Sequence, residues 1–190
     1  MITVALDKCA DDARPFIEAA ASSHPSLIDA EHRVADLYRI VNVPTGVWID
    51  EHGRIARPSD VAFGNDTFKD MHGIESGPHL NALRAWVTNG TLPFDAGTVK
   101  DLQRLPTPDE QLARTEFALA WCLRQSGKSE AAERHFVRAG ELAPHDFTIR
   151  RGSMPIRGLD PMGPPFFEMY TQWADAGKPY YEPLPAPKGS

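Results

Sequence analysis

Apolar and polar positions follow two rhythms along this chain. Residues 2–6, Ile-Thr-Val-Ala-Leu, form a short β-prone run that ends at Asp7. Ala13, Phe16, Ile17 and Ala20 then recur at i, i+3, i+4 and i+7, one face of a helix. Pro15 is expected near that helix's first turn, where a missing N–H costs little. His24-Pro25-Ser26-Leu27-Ile28-Asp29 reads as a turn followed by a very short strand. Val34, Leu37, Tyr38 and Val41 restore the helical spacing and predict a helix over residues 30–39. Two β-prone runs, 46–50 and 54–57, flank Glu51-His52-Gly53, a short glycine-containing connection that signals an antiparallel hairpin. Leu80, Leu83, Trp86 and Val87 mark a further helix. Residues 58–78 between these elements show no period and hold several Gly and Pro. They predict a loop, long enough to be functional or mobile.

The second half changes character. Residues 91–108, with their Pro, Gly and Thr, read as a linker and place a domain boundary there. From Asp109 the pattern gives a helix, a break at Ser126-Gly127-Lys128, and a second helix that stops at Pro144. Phe166, Met169, Tyr170 and Trp173 predict a third helix over residues 162–176. The proline- and glycine-bearing tail, 177–190, is expected to be extended or disordered. The organisation is therefore an α/β part over residues 1–90, a linker over 91–108, an all-α part over 109–176, and a tail.

Composition narrows the function classes. The 190 residues carry 20 Lys+Arg against 26 Asp+Glu, a formal charge of −6. That balance argues against nucleic acid, because phosphate contacts need a basic surplus. No apolar run approaches the roughly 18–20 residues that span a bilayer. The N-terminus lacks a basic, then apolar, signal-peptide pattern, which predicts a cytoplasmic location for the chain as given. Cys9 and Cys122 are too sparse for a disulfide framework or a four-cysteine zinc site. His24, His32, His52, His72 and His79 invite a metal reading, but their spacings fit neither an i, i+4 helical pair nor a zinc finger. They are expected at the surface or in turns, with no metal and no cofactor. Asp66, Asp70 and His72 either line a site or belong to a solvated loop. Arg150, Arg151 and Arg157 form a basic cluster too small to reverse the overall acidity.

Over residues 1–90 the chain resembles thioredoxin-like proteins of the TlpA/ResA type. The resemblance rests on the strand ending at Asp7, Phe16-Ile17, the His24–Asp29 segment and Val34-Ala35-Asp36-Leu37-Tyr38. It continues through Asn42-Val43-Pro44-Thr45, Val47-Trp48-Ile49-Asp50 and Gly53-Arg54-Ile55. It implies a cis Val43-Pro44 bond beside a redox centre. It also implies a substrate groove at Val43, Pro44 and Thr45, where backbone before the proline pairs with an extended peptide. Such proteins carry Trp-Cys-x-x-Cys at a helix start, which lowers the attacking thiol's pKa. This chain has no Cys-x-x-Cys, and Cys9 sits on a different element. The fold implied is an incomplete thioredoxin-like one, about four short strands with flanking helices. The function implied is membership of a thiol–disulfide oxidoreductase family without catalytic thiols in this polypeptide. Three readings stay open: an N-terminally incomplete oxidoreductase, a non-catalytic peptide- or protein-binding module, and a one-cysteine peroxidase using Cys9. The implied partner is a protein or peptide thiol or disulfide. The strand that leads to the dithiol would lie between those matching residues 2–6 and 46–49. Its absence would leave edges that favour self-association.

Residues 116–144 resemble a single tetratricopeptide repeat, through Leu119, Ala120, Leu123, Gly127, Ala132, Phe136, Ala139 and Pro144. Ala120 and Ala132 would let two helices approach while Leu123 and Phe136 fill the groove. One repeat cannot bury its own face, so the helix over 162–176 is expected to pack on it. Trp121 and Cys122 are expected in its core.

Overall fold

A computed structural model describes residues 1–61, 64–67, 69–178 and 184. The protein is mixed α/β and 54% helical, with sheets of two strands each. No described helix is long and apolar enough to cross a membrane. The chain divides into two compact units: residues 1–41 with 106–180, and residues 42–105 with 181–190. This differs from the expected division at 91–108. Residues 1–41 share a unit with the helical second half, whereas the hairpin and the helices after it form the other.

In the first unit, β1 (Thr3–Ala5) pairs in parallel with β2 (Ser26–Ile28). The crossover between them is α1 (Ala10–Ala20), as parallel pairing requires. The apolar stripe read from the sequence is not a buried face. Ala13 is buried, but Phe16 is 77% exposed. Pro15 lies inside α1 rather than in its first turn, so it cannot donate to the carbonyl of Asp11. The helix predicted over 30–39 shortens to α2 (Arg33–Leu37). Asp29 starts it, its carboxylate accepting from the N–H groups of Arg33, Val34 and Ala35 at 2.8–3.1 Å. Those are three of the donors a helix start leaves without partners.

The helical hairpin forms where the pattern placed it, as α6 (Pro108–Gln125) and α7 (Ser129–Leu142). Thr107 and Glu110 close a capping box at the start of α6. Gly127 takes positive φ in the turn between the helices. Ala113, Phe117, Ala120, Ala132, Phe136 and Ala139 form one buried core with Ile149 and Ile156. The last two belong to α8 (Phe147–Arg157), a helix the sequence pattern did not reveal. It takes the position against the hairpin expected of residues 162–176. Those residues form α9 (Pro164–Asp175), which meets α8 where Phe147 and Trp173 contact edge to face at 5.2 Å. Trp121 is partly buried against the core. Cys122 is exposed, contrary to expectation, because the face turned to α7 and α8 is the one through Ala113, Phe117 and Ala120.

In the second unit, β3 (Thr45–Ile49) and β4 (Ile55–Val61) form the expected antiparallel hairpin. β1 and β3 each have a single partner strand among the described residues. Part of the stretch expected to be a loop over 58–78 is ordered structure: β4 runs through it, followed by α3 (Lys69–His72) and the start of α4 (Ser76–Asn89). α5 (Ala96–Leu102) lies within the expected linker, capped by Asp95, which accepts from the Thr98 N–H at 2.8 Å. The expected extended tail lies outside the described residues, apart from 177, 178 and 184.

Candidate functional site

The Val43-Pro44-Thr45 segment enters β3 at the start of the second unit. The Val43-Pro44 bond is cis. Val43 is 43% exposed and Pro44 is exposed beside it. The polar groups here are already engaged. The Val43 N–H donates to the Asn42 side-chain oxygen at 2.8 Å. The Thr45 hydroxyl donates to the Asp60 carbonyl across the hairpin at 2.8 Å. Thr45 therefore ties β3 to β4 and is not a free nucleophile. A partner peptide seeking the Val43 N–H would have to displace the Asn42 amide.

The layer around β3 is aromatic with one buried charge pair. Trp48 is buried and stacks on Trp86 of α4, with ring centroids 5.1 Å apart and planes 5° from parallel. The Arg57 guanidinium lies 5.3 Å from the Trp48 ring centre and 5.5 Å from that of Phe94, within cation–π range. Arg57 is paired with the Asp60 carboxylate, both nearly excluded from solvent. His79 meets the edge of Trp48 at 5.8 Å. Burial, then the nearby Arg57 charge, hold its pKa below the ordinary value, while Asp60 pulls it the other way. Trp48 and Trp86 form a packed pair that fixes the hairpin on α4, which leaves Val43, Pro44 and Ile49 as the exposed residues of this segment. Register shifts occur between Gly46 and Trp48 and between Trp48 and Ile49. Such bulges re-aim side chains along a strand, and Ile49 is left 41% exposed.

Cys9 belongs to the other unit. It is exposed and occupies the N-cap of α1 without a side-chain cap bond. Cys122 is likewise a free thiol on α6. Of the histidines, His52 is exposed, His24 and His79 are partly buried, and the His72 side chain lies outside the described residues. His32 is only 2% exposed, contrary to the expectation of a surface or turn position. It sits at the N-cap of α2 with φ of 56°, and its ring stacks on Phe117 of α6 at 4.7 Å. The single sequence clue was its place three residues after Asp29, whose carboxylate begins α2. Asp66 accepts from the Ser76 N–H at 2.7 Å, so it helps to start α4 rather than lining a pocket. Among the described residues no group of three His, Cys, Asp or Glu is placed to hold a metal ion.

No protein-family model, curated protein or solved structure matches this chain.

Proposed function

We propose that this chain is a thioredoxin-like protein that binds an extended peptide along β3 and performs no dithiol exchange itself. The observation that carries the reading is the exposed Val43-Pro44 entrance to a strand whose one described neighbour is β4. A strand with one open edge offers backbone donors and acceptors for β-addition, and flanking apolar side chains such as Val43 and Ile49 supply selectivity. The cysteine content supports the non-catalytic half. Escape from a mixed disulfide needs a resolving thiol beside the attacking one, and two cysteines on α6 and at the start of α1 provide no Cys-x-x-Cys. The implied ligand is an extended, β-prone segment of a protein partner.

Two measurements test this. Fluorescein-labelled Val/Thr-rich peptides of strand length should bind saturably by anisotropy, and Val43→Asp or Ile49→Asp should weaken binding about tenfold or more. In an insulin-turbidity assay with dithiothreitol, the chain should give no turnover above the thiol background. Absence of saturable binding would remove the peptide reading; turnover abolished by Cys9→Ser would replace it with thiol chemistry.

A further inference from the structure

His32 is a titratable group buried in the first unit in surroundings that on balance favour its neutral form. Its Nε2 lies 3.3 Å from the Leu6 carbonyl, just beyond β1. That contact requires Nε2 to carry the hydrogen. Nδ1 is buried and has no hydrogen-bond partner in the described structure. One face of the ring stacks on Phe117 at 4.7 Å with planes 24° apart. Gly152 of α8 closes the edge: a Cβ there would stand 2.7 Å from the His32 Cε1. The glycine makes room for the ring, which fills the space a Cβ would take.

The charges facing the ring divide by element. From α6, the Arg114 guanidinium opposes a second positive charge. From the loop before α2, the Asp29 carboxylate favours it, but that group is committed to three backbone N–H donors of α2. The backbone of Leu6 and of Thr148 on α8 also favours it. Burial outweighs these and, with Arg114, holds His32 below its ordinary value of 6.5.

The segment His32 holds is also tied to β1 by the Asp29 N–H, which donates to the Ala5 carbonyl at 2.8 Å, to α6 by Arg39 on Glu110 at 3.3 Å, and at its far end. There the Ile40 carbonyl accepts from Arg114 at 3.0 Å and from the Thr148 hydroxyl at 3.1 Å, and the Phe147 N–H donates to the Val41 carbonyl at 2.8 Å. Asp146 pairs with Arg114 at 2.6 Å. We propose that His32 is a catch through which acidification releases residues 29–41 from α6 and α8. A proton added at Nδ1 would place a second positive charge in a buried site beside Arg114, so uptake is favoured when the ring moves out to solvent. The sign follows from linkage. A group whose folded value is depressed contributes stability above its unfolded value, and that stability is lost as pH falls through the folded value. Asp146 has the opposite sign, since burial raises its value, so it cannot mimic an acid-induced loss.

Amide hydrogen exchange on the whole chain tests the proposal between pH 7.5 and 5. Protection of the Ala35 and Ile40 amides, which bond to Asp29 and to Ala35, should fall by up to about tenfold per pH unit. The Phe136 amide of α7 should keep its protection. His32→Asn suits the left-handed backbone and does not titrate; its Ala35 and Ile40 protection should be flat over this range. The wild-type ring signal, followed by NMR, should titrate below 6.5. A ring titrating at or above 6.5 overturns the proposal, as does an equal acid-induced loss in His32→Asn or a parallel loss at Phe136.

Discussion

At the scale of single residues, two helical glycines show how neighbours decide the outcome of one substitution. Gly→Ala in a helix interior gains about 1 kcal/mol from backbone propensity alone. At Gly140 in α7 an added Cβ would meet the Arg150 side chain at 3.4 Å, close to ordinary contact. Gly140→Ala should therefore stabilise the protein by about 0.5–1 kcal/mol. At Gly152 the same methyl would strike the His32 ring, itself clamped by Phe117. Overpacking a filled site costs about 1–3 kcal/mol, so Gly152→Ala should be net destabilising. Urea unfolding of the two variants decides whether their signs differ. Asn42 offers a further test at this scale. Because its side chain occupies the Val43 N–H, Asn42→Ala should strengthen peptide binding if β-addition uses that donor. Weaker or unchanged affinity would count against the proposed binding register.

At the scale of elements, caps determine where helices begin. The Asp146 carboxylate accepts from the Thr148 and Ile149 N–H groups at 2.9 and 3.1 Å, and it also pairs with Arg114. α8 is thus started by the same buried charge that neutralises the guanidinium on α6. Asp146→Ala removes the cap and leaves Arg114 without its carboxylate, a loss of about 3–5 kcal/mol. Thr107→Ala, at the exposed capping box of α6, should cost only about 1 kcal/mol. The two midpoints in denaturant, compared with wild type, should fall in that order. The α6–α7 hairpin itself was legible from Ala120, Leu123, Ala132, Phe136 and Ala139 at helical spacing, although Leu119 of the same pattern is 43% exposed and Phe117, outside it, is buried. α8 and α5 were not. Gly152 and Pro155 interrupt the α8 pattern, and α5 is a short helix whose main signal was the Asp95 cap.

At the scale of the whole chain, the division into two units crosses the order of the sequence. Each unit has a pair of tryptophans, Trp121 and Trp173 in one, Trp48 and Trp86 in the other. Variants retaining only one pair should report separate transitions if the units unfold independently, as domains with their own cores can. Coincident midpoints for both pairs would mean a single cooperative unit. Two-stranded sheets are marginal by themselves and leave open edges. With Ile2 and Leu27 exposed near β1 and β2, light scattering after size exclusion should show association that grows with concentration.

Local elements were legible in the amino-acid pattern: the hairpin at Glu51-His52-Gly53, the two helices meeting at Gly127, and the short strands at 2–6 and 26–28. Turn chemistry and side-chain period act within a few residues, so they can be seen in a single chain. The sequence also lacks a Cys-x-x-Cys. Which elements share a core depended on long-range packing. Phe16 and Leu37 sit on regular helical stripes yet remain 77% and 79% exposed, because a period states that a face exists, not that another element covers it. His32 shows the reverse: polar and unpatterned in sequence, it is buried because residues far along the chain, Phe117 and Gly152, supply a flat surface and a missing methyl.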